Sequence, residues 1–298
     1  MGWGFGLCIL LSVACTSVVM WKHLPAPKTV AAKVQEDMVY GRVDGIDLKM
    51  DVYSPSNATG RPTPAVMYIH GGGWKLGGKS MLVMMPGPSE LLRRGYLIVS
   101  IDYRLAPKYK FPAMLEDAQM ALRFLQANAQ RFNLDSHRIG VMGDSAGGHL
   151  AALLALTATS TRSQGSSTSN RVVAVVDFYG PSDFTSGDLH ASKTTIRLLQ
   201  DAFGATGADD PVLIRASPVS YISSNAPPFL ILHGNRDGLV DIKQSEELQE
   251  RLKAAGVDST FIVITNFAHG YTPLGLKSSP DNAGLTKLVA DFFDRTLR

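Results

Sequence analysis

Apolar residues fall along the chain in two rhythms. Continuous runs at Ala65–Ile69, Leu97–Ile101, Ile139–Met142, Val172–Phe178, Phe229–Leu232 and Phe261–Ile264 predict strands buried on both faces. Between them the spacing turns helical. Met114, Ala118, Ala121, Leu122 and Leu125 share one face of a helix predicted over Met114–Ala127, and further helices are predicted from Ala146 to about Thr157, over Ser245–Ala255 and over Leu285–Leu297. Ahead of these, Met38–Tyr53 predicts a hairpin whose strands Val39–Val43 and Leu48–Val52 flank the tight turn Asp44-Gly45. Ser54–Pro64 reads as a loop, its sequon Asn57-Ala58-Thr59 a chance match, and Thr159–Asn170 as a mobile Ser/Thr-rich surface loop.

Apolar strands alternating with helices predict an α/β domain with a mainly parallel central sheet, helices on both faces and an antiparallel hairpin at its start. Right-handed crossovers bring the strand C-terminal ends to one edge, where such sheets bind ligands. The expected organisation is a leader over residues 1–21, a linker over 22–36 carrying Pro25 and Pro27, and one domain over 37–298.

Trp3–Trp21 holds no charged residue, which predicts a secretory signal or a membrane anchor: an exported (periplasmic or secreted) protein, or one anchored by this segment alone. Ser12-Val13-Ala14 supplies small residues at alternate positions, and Cys15 follows as in an imperfect lipoprotein box. Both cysteines, Cys8 and Cys15, lie in the leader, so the domain is expected to have neither an internal disulfide nor a thiol nucleophile. Hydrophobic content of 45% against 18% charged excludes global disorder, and a net charge of +3, partly carried by Lys22, Lys28 and Lys33, gives no nucleic-acid footprint.

The strongest chemical signal is Gly143-Asp144-Ser145-Ala146-Gly147, a G-x-S-x-G turn between a predicted strand and a predicted helix. Such a turn lifts the serine hydroxyl clear of the sheet and aims a helix N-terminus at the charge that develops on acylation. His70-Gly71-Gly72-Gly73-Trp74 follows another strand. Its glycines, with the N–H of Ala146, are expected to form an oxyanion hole, with His70 holding the loop through hydrogen bonds. The base is expected at His269, in the loop after the last strand, and the acid at Asp237, after the strand ending at His233. His149 is read as a packing or hydrogen-bonding residue, and Asp241 as a cap of the following helix. Candidate pocket residues are Trp74, Tyr179, Leu239, Phe267 and Tyr271, with Trp74 equally readable as core. A rival motif, Gly73 through Gly78-Lys79-Ser80, fits a P-loop, with Asp102 as a magnesium ligand. Pro86-Gly87-Pro88, however, breaks the helix such a loop must open.

His70-Gly71-Gly72-Gly73-Trp74, Asp102-Tyr103-Arg104-Leu105-Ala106-Pro107, Gly143-Asp144-Ser145-Ala146-Gly147-Gly148 and the pair Asp237/His269 together resemble the hormone-sensitive-lipase-like esterases. Asp177-Phe178-Tyr179-Gly180-Pro181 is similar to their bacterial ferulic acid and acetyl-xylan esterase branch. The resemblance spans about residues 38 to 298. It implies an α/β-hydrolase fold, a small-molecule ester substrate, and no metal or cofactor. It also implies oxyanion N–H groups from Gly71, Gly72 and Ala146, with Gly73 as a further candidate, and an Arg104 paired with a buried carboxylate. Ser182–Asn225 departs from the family and is expected to form a small cap over the site. Three functions are open on this basis: a serine carboxylesterase for short acyl or carbohydrate-linked esters, an amide hydrolase of arylformamidase type, and a non-catalytic binding module.

Overall fold

The computed structural model describes residues 33–57, 60–160, 171–186, 193–270 and 272–298. The leader with both cysteines, most of the linker, residues 58–59 of the sequon, residues 161–170 of the Ser/Thr-rich loop, and Tyr271 lie outside them.

Eight strands form one sheet: β1 (Lys33–Val43), β2 (Ile46–Ser54), β3 (Thr63–Ile69), β4 (Leu97–Ile101), β5 (Leu134–Asp144), β6 (Val175–Phe178), β7 (Phe229–Gly234) and β8 (Ser259–Ile264). Their order across the sheet is β1-β2-β4-β3-β5-β6-β7-β8. β1 and β2 pair antiparallel, as do β2 and β4, and every later pairing is parallel. The apolar runs become the inner strands. All of β3 and β4 is buried, while the edge strands β1 and β8 stay largely accessible. The expected turn joins β1 and β2, with Asp44 and Gly45 both at positive φ (50° and 76°), as a two-residue hairpin of this twist requires.

Helices α1 (Pro88–Arg93), α2 (Ala113–Ala127), α3 (Ala129–Phe132), α4 (Ala146–Ser160), α5 (Lys193–Phe203), α6 (Pro211–Ala216), α7 (Lys243–Ala254) and α8 (Asn282–Leu297) complete the chain. One core lies between the sheet and α2, α4 and α7; α1 and α8 close the opposite face through Leu91, Leu92, Val289 and Phe293. The predicted face of α2 is fully buried: Met114, Ala118, Ala121, Leu122 and Leu125. This is the α/β-hydrolase fold. Among the described residues no helix is long and apolar enough to cross a membrane.

Three expectations shift. Lys33–Glu36, assigned to the linker, are the first residues of β1. The apolar run Val172–Phe178 is longer than its strand, because pairing to β7 begins only at Val175. The departing stretch Ser182–Asn225 carries α5, α6 and a 3-10 turn at Pro218–Tyr221, none of which its polar composition announced.

Candidate active site

The elbow forms where β5 runs into α4. Ser145 sits at φ 52°, a conformation that costs a non-glycine residue of order 1 kcal/mol or more and marks a functional turn. Two backbone contacts hold it: its N–H donates to Phe178 O at 2.8 Å, and its carbonyl accepts from His149 N at 3.0 Å. The flanking glycines are obligatory. A Cβ on Gly143 would fall 2.3 Å from Gly147 O, and one on Gly147 would fall 2.0 Å from Ile69 O.

His269 enters from the loop after β8, with Nε2 2.8 Å from Ser145 Oγ and Nδ1 2.7 Å from Asp237 Oδ2. The three residues predicted far apart in the chain thus meet at the C-terminal rim of the sheet. The loops that carry base and acid are laced together. Asn266 N donates to Asn235 Oδ1 at 2.8 Å, Arg236 N to Phe267 O at 2.9 Å, and Asn235 N to Ile264 O at 3.1 Å. Burial draws the Asp237 carboxyl upward, but hydrogen bonds from His233, His269 and the Leu239 N–H hold it well below the usual carboxylate range. Asp241, expected as the cap of the following helix, stands one residue ahead of the actual N-cap of α7, Ile242, and accepts from Lys243 N at 3.0 Å.

The glycine loop departs from expectation at one residue. Gly71, named as an oxyanion donor, commits its N–H to Asp144 Oδ1 at 3.0 Å, where the Tyr68 hydroxyl also donates at 2.7 Å. The side chain between Gly143 and Ser145 thereby staples the loop to the elbow. Burial raises the Asp144 carboxyl above its ordinary range, and the bonds from Tyr68 and Gly71 oppose that rise. The N–H groups of Gly72, Gly73 and Ala146 donate to no group among the described residues. Gly72 stands at φ 110°, where a Cβ would meet Leu76 O at 2.2 Å.

Beneath the loop lies a sealed cluster. His70 Nδ1 donates to Gly71 O at 2.7 Å, and its ring stacks on Tyr103. Trp74, a candidate pocket residue, is in the core. Its Nε1–H donates to His149 Nδ1 at 3.1 Å, and His149 Nε2 donates to Ala216 O at 2.7 Å. Burial lowers both His70 and His149 to about 4, so both rings are neutral hydrogen-bonding parts, as expected, and neither competes as a base.

Of the other pocket candidates, two gather beside His269 and one faces solvent. Tyr179 is buried with its ring 4.7 Å from that of His269, Phe267 packs against Tyr179, and Leu239 is 61% exposed. A residue not foreseen is Leu198 on α5: a methyl placed on Gly73 would lie 3.4 Å from its Cδ1. Only its location in the stretch that departs from the family could have drawn attention to it.

The remaining sequence expectations resolve simply. Arg104 pairs with the fully buried Asp117, Nη2 to Oδ1 at 2.7 Å. Lys79 of the P-loop-like motif is held by Asp51 at 2.9 Å and Asp37 at 3.1 Å and opens only a six-residue 3-10 turn, while Asp102 accepts its N–H. That motif is a structural ion-pair cluster without a phosphate cradle.

Three comparisons bear on this geometry. The BD-FAE family model matches residues 50–252. The esterase LipC of Mycobacterium tuberculosis is 32% identical over 78% of this chain and 59% of its own length. The chain spans 50% to 64% of the first three curated relatives it matches. Among solved structures, a truncated carbohydrate esterase from gut microbiota superposes with a TM-score of 0.74 at 27% identity, covering 91% of this chain and 98% of that one. A propionate-bound thermophilic esterase, Est2 of Thermogutta terrifontis, superposes with a TM-score of 0.71 at 25% identity, covering 90% and 96%.

Proposed function

The chain belongs to the BD-FAE family of hormone-sensitive-lipase-like α/β-hydrolases, and on that premise we propose that it is a serine carboxylic ester hydrolase acting on short acyl or carbohydrate-linked esters. The observation that carries this reading is the unbroken line Ser145 Oγ to His269 Nε2 to Asp237 Oδ2, with free N–H groups beside it. Ser145 attacks the ester carbonyl while His269 Nε2 takes its proton, and Asp237 holds the imidazole tautomer and stabilises the imidazolium. The oxyanion that forms receives the N–H groups of Gly72, Gly73 and Ala146, with the N-terminus of α4 behind them. His269 then returns the proton to the leaving alcohol, and water repeats the cycle on the acyl-enzyme.

The carbohydrate esterase and the propionate-bound esterase among its structural relatives support the two substrate classes. Leu198 beside Gly73 supports the limit to short groups, because an apolar wall there narrows the space next to the oxyanion. The leader over residues 1–21 is part of the same proposal, as the segment that exports or anchors the enzyme.

The test is p-nitrophenyl acetate hydrolysis by the full chain and by Ser145→Ala. Loss of a triad serine is expected to lower turnover by ~10⁶. Equal rates for the two proteins would remove Ser145 from the mechanism. Parallel assay of acetylated and feruloylated sugars against matched formamides ranks the substrate classes.

A further inference from the structure

We infer that His233 is a positioning residue for the triad acid, donating its Nε2–H to the Asp237 oxygen that faces His269. The inference rests on the serine-esterase reading and adds a fourth side chain to it.

His233 is the penultimate residue of β7, with its side chain fully buried. Its Nε2 lies 3.0 Å from Val240 O and 3.3 Å from Asp237 Oδ2, and its Nδ1 lies 2.7 Å from Ser245 Oγ on α7. A carbonyl and a carboxylate only accept hydrogen bonds, so Nε2 carries a proton, bonded to Val240 O and within reach of Asp237 Oδ2. Ser245 closes the other ring nitrogen.

The carboxylate is then surrounded. Oδ1 accepts from Leu239 N at 2.8 Å and Val240 N at 3.0 Å, while Oδ2 accepts from His269 at 2.7 Å on one side and lies 3.3 Å from His233 Nε2 on the other. Donors from the loop backbone, the β8 loop and the end of β7 converge on a side chain with no exposed surface, and they fix one rotamer. Remove His233 and Oδ2 keeps a single side-chain donor, the imidazole it must orient. The other titratable groups facing this cluster are Asp177 and Tyr179 at the end of β6 and Asp144 at the elbow; α7 presents the uncharged Gln244 and Ser245.

The sign of the electrical effect follows. A donor on Oδ2 withdraws negative charge from the oxygen opposite His269. Without it the imidazolium is favoured, and the acid limb of the kcat/KM profile moves to higher pH.

The test compares His233→Leu and His233→Gln in the full chain. Rates are normalised to active sites titrated with a fluorophosphonate, so that misfolded protein drops out. For His233→Leu, kcat per site is expected to fall on the order of 10²-fold with KM nearly constant, and the acid limb to rise. His233→Gln, with an amide N–H near the ε position, is expected to recover most of kcat and return the limb. An unchanged per-site kcat and pH profile in His233→Leu, or a Gln variant as impaired as the Leu variant, overturns the inference. Should His233→Leu not fold, Ser245→Ala reads the same arrangement. A several-fold fall in kcat with a raised limb supports the inference, and wild-type values overturn it. Ser145→Ala run alongside separates the two levels. Retained activity there removes the triad and this role together, whereas lost activity with an indifferent His233 removes the inference alone.

Discussion

The acid–base side of the site and its oxyanion side are held by different kinds of force. Around Asp237 nearly every fixed atom is a polar group with a partner: two backbone N–H groups, two imidazoles, and loops laced by Asn235, Arg236 and Asn266. Around Gly72 and Gly73 the backbone has positive φ, the rings beneath it are neutral and sealed, and α5 is clamped on by apolar packing. The ion pair Lys75–Asp201, 2.6 Å apart and partly exposed, also joins loop to α5, but solvent screening leaves such a pair a weak contributor. Burial of Phe203 against Trp74 and Phe184 contributes about 1.5–3 kcal/mol. Apolar contact therefore decides where α5 sits. Changes on the first side should act through proton placement, and changes on the second through geometry and space.

Three substitutions break or sharpen that contrast. The largest effect is expected from Asp237→Asn, which keeps the shape but reverses the tautomer preference of His269. It should cost about 10⁴ in kcat, read by steady-state kinetics, and lower the melting temperature read by calorimetry, because the buried carboxylate that these donors stabilise is lost. Gly72→Ala is its geometric counterpart. The new Cβ must push on Leu76 O, displacing an oxyanion N–H, so kcat should fall about 10²–10³-fold while the pH profile keeps its form. A displaced acid limb in this variant would show that the two sides are coupled. The smallest effect is expected from Leu198→Ala. It should leave acetate hydrolysis close to wild type and raise relative kcat/KM for hexanoate over acetate p-nitrophenyl esters by about tenfold. An unmoved chain-length profile would place the selective wall elsewhere.

Much of this was legible in the sequence, for local reasons. Continuous apolar runs mark inner strands because both of their faces are covered. The elbow is readable because its glycines answer to contacts within a few residues, and order along the chain was enough to pick His269 and Asp237. What was not legible depends on side chains arriving from distant elements. No spacing rule says that Asp144 takes the N–H of Gly71, since that bond joins the ends of β3 and β5. Trp74 reads equally as pocket or core until Phe184 and Phe203 are seen to close around it. The i, i+4 spacing of His233 and Asp237 was visible, but a strand end and a loop do not predict that the two side chains meet.

The indole wedged between the glycine loop and α5 has a practical corollary. The chain has three tryptophans, and two of them, Trp3 and Trp21, lie within its first 21 residues. In a chain shortened to begin at Lys33, which lacks Trp3 and Trp21, Trp74 is the sole tryptophan fluorophore, in direct contact with an imidazole at the seam where the two parts touch. Its emission is thus a built-in optical gauge of that seam, readable without labels while ligands come and go.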